Sequence, residues 1–352
     1  MISVFKSEQP FRLQSGVTLP GYHLAYTTHG KLNAAKDNVV WIFHGLTANS
    51  NPAEWWPGMI GDGKYFDPSK YFIVCVNKPG SPYGSISPLS TNPETGKPYY
   101  HDFPVFTIRD MILSYQRLKD YLGIKKILVG LGGSTGGMQL LEWAIEEPEL
   151  FEHIVPIATN AALSPWAIAF NSSQRMAIEA DNTWLEKRPD AGQKGLAAAR
   201  SIALLSYRHY NGYDITQPRD KAFMPLGNEV IYAADNYQRY QGTKLINRFN
   251  AVCYYRLTQS MDSHDVSVGR GSVENALQKI KARTLIIGIK SDVLYPYSEQ
   301  EYLQQKIAGA QLLGITSDFG HDGFLLEYEK IETALKSFID EKPSSRLKVV
   351  NE

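Results

Sequence analysis

Three side chains that together could perform nucleophilic catalysis each follow an apolar run of the sequence. Ser134 follows residues 127–131, Asp292 follows residues 284–289, and His321 follows residues 311–316. A histidine can take the proton of a serine hydroxyl, and an aspartate can orient the imidazole and stabilise its cation. Alone, Asp292 could be a loop or cap residue and His321 a turn residue. Their common position after strand-like runs favours a Ser-His-Asp triad.

Ser134 is the central residue of a G-x-S-x-G pattern at residues 132–136. The apolar run before it predicts a buried strand, and the helical spacing of Met138, Leu141 and Ala144 predicts a helix after it. In such a strand-turn-helix elbow, glycines leave room for a sharp turn that exposes the serine. The alternative is a glycine-rich turn with an incidental serine, which the flanking strand and helix patterns disfavour.

Backbone N–H groups on two segments are predicted to form an oxyanion hole. The amide of Thr135 begins the predicted helix, where free N–H groups favour a developing negative charge. His44-Gly-Leu-Thr follows the strand-like residues 39–43, so the amide of Leu46 is the second predicted donor. We expect His44 to shape this loop rather than to transfer protons. The other six histidines share no strand end with an acid and a nucleophile, and we interpret them as structural or surface residues.

Short apolar runs alternate with helical patterns along most of the chain. The runs lie at residues 39–43, 71–76, 127–131, 154–158, 284–289 and 311–316, after two strands predicted within residues 11–29. Continuous apolar runs are typical of parallel strands covered by helices on both faces. With the order Ser134, Asp292, His321, they predict an α/β class protein with the α/β-hydrolase fold and a mostly parallel central sheet.

One interruption of this alternation predicts a helical lid after the sixth strand. Helical patterns lie at residues 171–184, 194–207 and 228–261, with no comparable strand among them. We therefore predict a core formed by residues 1–162 and 279–352, with residues 163–278 inserted as the lid. No Ser/Gly-rich linker marks either border, which disfavours a separate tethered domain.

Composition narrows the class of protein. The 352 residues include 43% hydrophobic residues and carry a formal net charge of zero, which argues against nucleic-acid or membrane partners. The two cysteines, Cys75 and Cys253, match neither a disulfide framework nor a metal site, and no metal ligation is expected. The first residues lack a signal-peptide pattern, and no apolar run reaches transmembrane length, so we expect a cytoplasmic protein.

Further motifs extend along nearly the whole chain. They are His44-Gly-Leu-Thr, Trp55-Trp56, Gly61-Asp-Gly-Lys64, Asn92-Pro-Glu-Thr-Gly-Lys-Pro98, Asp102-Phe-Pro, Gly132-Gly-Ser-Thr-Gly-Gly-Met-Gln139, Gly195-Leu-Ala-Ala-Ala-Arg200, Ser206-Tyr207 and Gly320-His-Asp-Gly-Phe324. Together they resemble the homoserine O-acetyltransferase family, α/β-hydrolase-fold acyltransferases of methionine biosynthesis. A match of this length is far more specific than the serine elbow alone.

The resemblance implies a ping-pong reaction in which an acyl group passes from acyl-CoA to Ser134 and then to the hydroxyl of L-homoserine. It implies that Arg200 and Tyr207 contact the substrate, with Arg200 binding the carboxylate, and that Asp322 receives the ammonium. Acetyl-CoA is then a co-substrate, no tightly bound cofactor is needed, and a homodimer formed through the lid helices is expected. The ordinary alternatives are a surface arginine at position 200 and a packed aromatic residue at position 207.

Two departures from the family pattern bear on acyl selectivity. The chain has His-Gly-Leu-Thr-Ala-Asn where the family usually has His-Ala-Leu-Thr-Gly, and Ser134-Thr135 where Ser-Met is common. Succinyl-CoA as donor and L-serine as acceptor therefore stay open. A plain esterase is a further alternative, because the triad would serve hydrolysis equally well. A non-catalytic binding protein is disfavoured, because all three triad residues are present.

Overall fold

The computed structural model describes residues 2–219, 222–226 and 229–340. The strands are β1 (Ile2–Ser7), β2 (Phe11–Arg12), β3 (Thr18–Leu19), β4 (Tyr22–His29), β5 (Val39–Phe43), β6 (Phe72–Val76), β7 (Ile127–Gly133), β8 (Phe151–Ile157), β9 (Ala222–Leu226), β10 (Glu229–Tyr232), β11 (Arg283–Ile289) and β12 (Gln311–Ile315). The α-helices are α1 (Pro52–Trp55), α2 (Ile108–Tyr121), α3 (Thr135–Glu146), α4 (Pro165–Glu179), α5 (Gln193–Tyr207), α6 (Tyr210–Thr216), α7 (Ala233–Ile246), α8 (Ala251–Asp262), α9 (Val273–Leu277), α10 (Tyr297–Lys306), α11 (Gly323–Leu326) and α12 (Tyr328–Leu335). Short 3₁₀ turns occur at Tyr100–Asp102 and Gly320–Asp322, and a π-helical turn at Lys336–Asp340.

Within the described residues, eight strands form one sheet in the order β1-β4-β6-β5-β7-β8-β11-β12. β1 and β4 pair antiparallel, as do β4 and β6, whereas every pair from β6 to β12 is parallel. The predicted α/β-hydrolase fold with a mostly parallel sheet is therefore confirmed. Because the carboxyl ends of parallel strands meet at one edge of a sheet, β5, β6, β7, β11 and β12 deliver their following loops to the same place.

β5 shows why the sheet needs helices on both faces. All five of its residues are buried. Trp41 and Phe43 join the apolar cluster on one face, where the Trp41 ring meets Trp143 edge-on with the centroids 4.9 Å apart. Val40 and Ile42 join the cluster on the opposite face. The strand period of two thus divides a continuous apolar run between two cores.

The chain between β8, the sixth strand of the central sheet, and β11 contains helices α4 to α9. This segment returns to the edge of the sheet through specific contacts, among them the hydrogen bond from Trp166 Nε1 to the carbonyl oxygen of Val293, 2.8 Å. The division of the chain into residues 1–162, 163–278 and 279–352 stays a prediction.

The prediction that residues 228–261 are helical was wrong in detail. Residue 228 lies outside the described residues, Glu229–Tyr232 is a strand paired with β9, and two helices follow. The break between α7 and α8 has a local cause, because Asn250 caps α8 by accepting the N–H of Cys253, 3.0 Å. The sequence patterns also did not predict β1.

Among the described helices, none combines the length and apolar character needed to cross a bilayer.

Candidate active site

The backbone at Ser134 has the strained conformation of a nucleophile elbow. Ser134 lies between β7 and α3 and has φ of 57° and ψ of −126°. Residues other than glycine rarely adopt this backbone conformation. The two glycines of the pattern permit this turn. A Cβ at Gly136 would lie 2.1 Å from the carbonyl oxygen of Phe43, and one at Gly132 would lie 2.5 Å from the backbone of Gly136. Alanine at either position would therefore push the elbow away from β5.

Three sheet loops bring the predicted triad together. His321 Nε2 lies 2.8 Å from Ser134 Oγ, and His321 Nδ1 lies 2.6 Å from Asp292 Oδ2. Asp292 is itself held in place, because its Oδ1 accepts the backbone N–H groups of Leu294 (2.8 Å) and Tyr295 (3.0 Å). The carboxylate can only accept, so the proton of neutral His321 is on Nδ1 and Nε2 is free to accept the serine proton.

Electrostatics favours the protonated form of His321 as an intermediate. All three triad residues are buried. Burial on its own would lower the pKa of His321, but the charge and hydrogen bond of Asp292 outweigh it and raise the pKa above its ordinary 6.5. A histidine with a raised pKa accepts a proton from serine more readily and returns it to a leaving group. The arrangement can therefore activate Ser134 for attack on a carbonyl carbon.

The two predicted oxyanion donors are free. Among the described residues, the backbone N–H groups of Leu46 and Thr135 find no acceptor. Thr135 is the first residue of α3, whose first turn leaves N–H groups unpaired. Leu46 is 8% exposed, so its amide is largely shielded from water. Thr135 directly follows the nucleophile, and unpaired N–H groups shielded from water can stabilise an oxyanion.

The residues predicted to bind substrate lie beside His321. The guanidinium of Arg200 lies 5.5 Å from the centroid of the Tyr207 ring, and that ring centroid lies 5.7 Å from that of His321. Within the described part of the chain, no carboxylate approaches Arg200 within 4.0 Å. Asp322 is different, because its Oδ2 lies 2.5 Å from Arg208 Nη1. Oδ1 of Asp322 has no partner among the described side chains, so it could still accept an ammonium group.

Sequence reasoning missed two cations near the site. Arg208 directly follows Tyr207 at the end of α5, where a basic residue is ordinarily interpreted as a partner of the helix dipole. Lys78 follows β6 by two residues and is buried against the loop after β5. The search for polar residues at strand ends that found Asp292 and His321 would also have found Lys78, had it included cations.

The fold and this site define the class of the protein. The model of the alpha/beta hydrolase fold family matches residues 38–328 of the chain. The structure of an acetylester hydrolase from Corynebacterium glutamicum superposes with a TM-score of 0.86 over 97% of this chain and 96% of that one, at 24% identity. The protein is an α/β-hydrolase-fold protein.

Closer relatives give the particular family. The homoserine O-acetyltransferase of Cyclobacterium marinum is 47% identical over 340 residues, covering 95% of this chain and 94% of the relative. The crystal structure of homoserine O-acetyltransferase from Bacillus anthracis matches with a TM-score of 0.87 at 26% identity, over 98% of this chain and 99% of that one. The chain belongs to the homoserine O-acetyltransferase family. The predicted resemblance is thus confirmed, whereas the roles of individual site residues stay predictions.

Proposed function

We propose that the protein transfers an acetyl group from acetyl-CoA to the hydroxyl of L-homoserine, releasing CoA and O-acetyl-L-homoserine. The observation that carries this proposal is the closeness of Arg200 and Asp322 to Tyr207, whose ring lies next to His321. Among the described residues, Arg200 has no carboxylate partner and Asp322 has one free oxygen, so the two complement the two charges of an amino acid. An esterase would need the triad but has no use for such a pair. High identity with a named homoserine O-acetyltransferase supports the same reaction.

In the first half-reaction, His321 Nε2 takes the proton of Ser134 as Oγ attacks the thioester carbonyl carbon. The carbonyl oxygen becomes an oxyanion that the N–H groups of Leu46 and Thr135 stabilise. Collapse of the tetrahedral intermediate breaks the carbon–sulfur bond, and the CoA sulfur leaves with the proton from His321. Ser134 then carries the acetyl group as an ester.

In the second half-reaction, the hydroxyl of homoserine takes the place of the thiol. His321 accepts the hydroxyl proton while the oxygen attacks the ester carbon, and the same two N–H groups stabilise the second oxyanion. Ser134 leaves and recovers its proton from His321. Arg200 would bind the carboxylate of homoserine and Asp322 its ammonium, which positions the hydroxyl at the ester ahead of competing water.

A thiol-release assay tests donor, acceptor and reaction type together. Acetyl-CoA and succinyl-CoA are each combined with L-homoserine, L-serine or no acceptor. We expect the fastest turnover with acetyl-CoA and L-homoserine. Because serine is shorter by one methylene, we expect it to be poorer by about 10- to 200-fold, the range that one methylene provides. The Ser134→Ala variant should release no CoA. Release that is equally fast without an acceptor would identify a hydrolase and contradict the proposal.

We further propose that the protein acts in the cytoplasm as a homodimer associated through the lid helices. Both cysteines are unpaired and buried, which suits a reducing compartment. Large apolar side chains are exposed on α5 to α7, namely Leu205, Tyr210, Ile215 and Tyr240. Exposed apolar groups of this kind favour association. Sedimentation equilibrium should give twice the chain mass of 39.5 kDa, and a monomer would contradict the association.

A further inference from the structure

A buried lysine joins the two segments that carry the oxyanion donors. Lys78 is 2% exposed. Its Nζ donates to the carbonyl oxygens of His44 (3.0 Å) and Gly45 (2.8 Å) and to Thr135 Oγ1 (2.9 Å). An ammonium group has three donors, so all of them are used. Among the described residues, no carboxylate lies within 4.0 Å of this charge. The ammonium is therefore balanced by neutral oxygens alone.

The acceptor at Gly45 belongs to the same peptide unit as the N–H of Leu46. This carbonyl oxygen also lies 2.8 Å from His44 Nδ1. The backbone N–H of Lys78 lies 3.3 Å from His44 Nε2, and because an N–H can only donate, Nε2 accepts and the proton of His44 is on Nδ1. Two donors, one of them charged, thus bond the Gly45 carbonyl. Donation to a carbonyl oxygen polarises its peptide and strengthens the N–H at the other end.

The third acceptor lies on the other side of the oxyanion hole. Thr135 offers its backbone N–H as the second oxyanion donor and its Oγ1 to Lys78. One ammonium group therefore contacts the peptide of Leu46 and the side chain of Thr135 together. Gly45 and Thr135 are also two positions at which the sequence departs from the usual family pattern. Lys78 therefore contacts both of these residues.

We infer that Lys78 is a positioning residue that holds the Leu46 and Thr135 N–H groups at a fixed separation and polarises the Leu46 N–H toward the oxyanion. The inference rests on the proposed use of Ser134 as an acyl-accepting nucleophile. Lys78 does not contact the reacting atoms, because its three donors are occupied by protein oxygens.

The protonation state of Lys78 should control this arrangement. Burial lowers the pKa of the Lys78 ammonium to about 7. The titratable groups that face it are His44, on the loop after β5, and Cys75, on β6. Burial lowers the pKa of His44 and raises that of Cys75, so both stay neutral around neutral pH. A neutral amine keeps two donors and loses its charge, so one acceptor is released. Acylation should then decline on the alkaline side.

The test compares Lys78→Met with Lys70→Met, which makes the same change at an exposed lysine. We measure kcat and KM for CoA release across pH, with thermal melting as the measure of folding. Loss of one complete oxyanion donor costs about 10²–10³-fold in kcat, so loss of a positioning group should cost about 10- to 100-fold. KM for acetyl-CoA should change little. The acidic limb, set by protonation of His321, should remain in Lys78→Met, whereas the alkaline limb should disappear.

A second variant keeps the inference testable if Lys78→Met fails to fold. Thr135→Val removes one acceptor and leaves the lysine. Because the ammonium then has fewer partners, the alkaline limb should move to lower pH, which a purely structural role of Lys78 would not cause. Unchanged kcat in folded Lys78→Met, or an alkaline limb that neither variant alters, would overturn the inference.

The assay also separates this inference from the proposed function. Acylation by p-nitrophenyl acetate requires Ser134 and the oxyanion hole but neither CoA nor homoserine. If the protein failed to use acetyl-CoA, the proposed function would fail, and the same variants measured with this ester would still test Lys78.

Discussion

Replacing Asp292 by asparagine tests whether the orientation of His321 determines activity. Oδ1 of Asp292 accepts two backbone N–H groups, and Oδ2 faces His321 Nδ1 at 2.6 Å. The carbonyl oxygen of an asparagine would keep the backbone bonds, because its NH₂ group cannot accept them. The NH₂ group would then face Nδ1. His321 would have to accept a hydrogen bond at Nδ1 and carry its proton on Nε2.

A proton on Nε2 would point at Ser134 Oγ, 2.8 Å away, and would prevent His321 from acting as the base. The change also removes the charge that raises the pKa of His321. The corresponding substitution in a Ser-His-Asp enzyme lowers kcat by about 10⁴-fold. That is about 5.5 kcal/mol of transition-state stabilisation. We expect a loss of this size, because Asp292 and His321 are buried and water cannot replace the carboxylate.

The measurement is a single-turnover assay of CoA release from acetyl-CoA near neutral pH. Asp318→Asn is a matched control, because Asp318 is an exposed residue on the loop that carries His321 and bonds Asn211 instead. The control should keep nearly full activity, and both variants should melt as cooperatively as the parent protein. Activity of Asp292→Asn within about tenfold of the parent protein would refute the reasoning, since the tautomer would then not limit the reaction.

Two further substitutions test acceptor binding and stability. Asp322→Asn should raise KM for homoserine by about tenfold or more, the value of one charge-assisted hydrogen bond, and leave acylation of Ser134 nearly unchanged; equal losses in both half-reactions would contradict its assigned role. Glu142 is buried between Arg109 and Arg270, so Glu142→Gln should lower the free energy of unfolding by about 3 kcal/mol in denaturant titrations, with exposed Glu149→Gln as the control. Burial alone would raise the pKa of Glu142, but the two arginines outweigh burial and lower it. The stabilisation of the fold by Glu142 is therefore complete above pH 4.5 and is lost as the pH falls through the lowered pKa. A Glu142 variant as stable as the parent protein would show that the arginines find other partners.

Local patterns in the sequence predicted the parallel strands of the central sheet and the elbow well. Residues 39–43 form β5 with the predicted bounds, and Ser134 lies at the predicted turn. Both signals depend on near neighbours. A strand buried on two faces needs an unbroken apolar run, and a turn as tight as the elbow excludes Cβ atoms at its glycines. The order of Ser134, Asp292 and His321 added the long-range part, because parallel strands bring their carboxyl ends to one edge.

The helical segment shows where local patterns stop being sufficient. Residues 228–261 have helix-forming composition, yet the described part begins with a strand and then forms two helices. The same polar residue can cap a helix or lie inside one. Which of the two it does depends on the backbone groups that its side chain bonds in the folded protein. For Asn250 that partner is the N–H of Cys253.

By itself, the sequence determined which residues could form the triad, since nucleophile, base and acid are recognised by type, order and position after strands. Only the tertiary structure decided which partners the surrounding charged side chains contact. Arg208 pairs with Asp322 across more than 100 residues of chain, and Lys78, in the loop after β6, reaches Thr135 at the start of α3. No spacing in the sequence encodes these contacts. The stability of a charged side chain depends on its burial and on the oxygen atoms that contact it, and these surroundings form only when the chain folds.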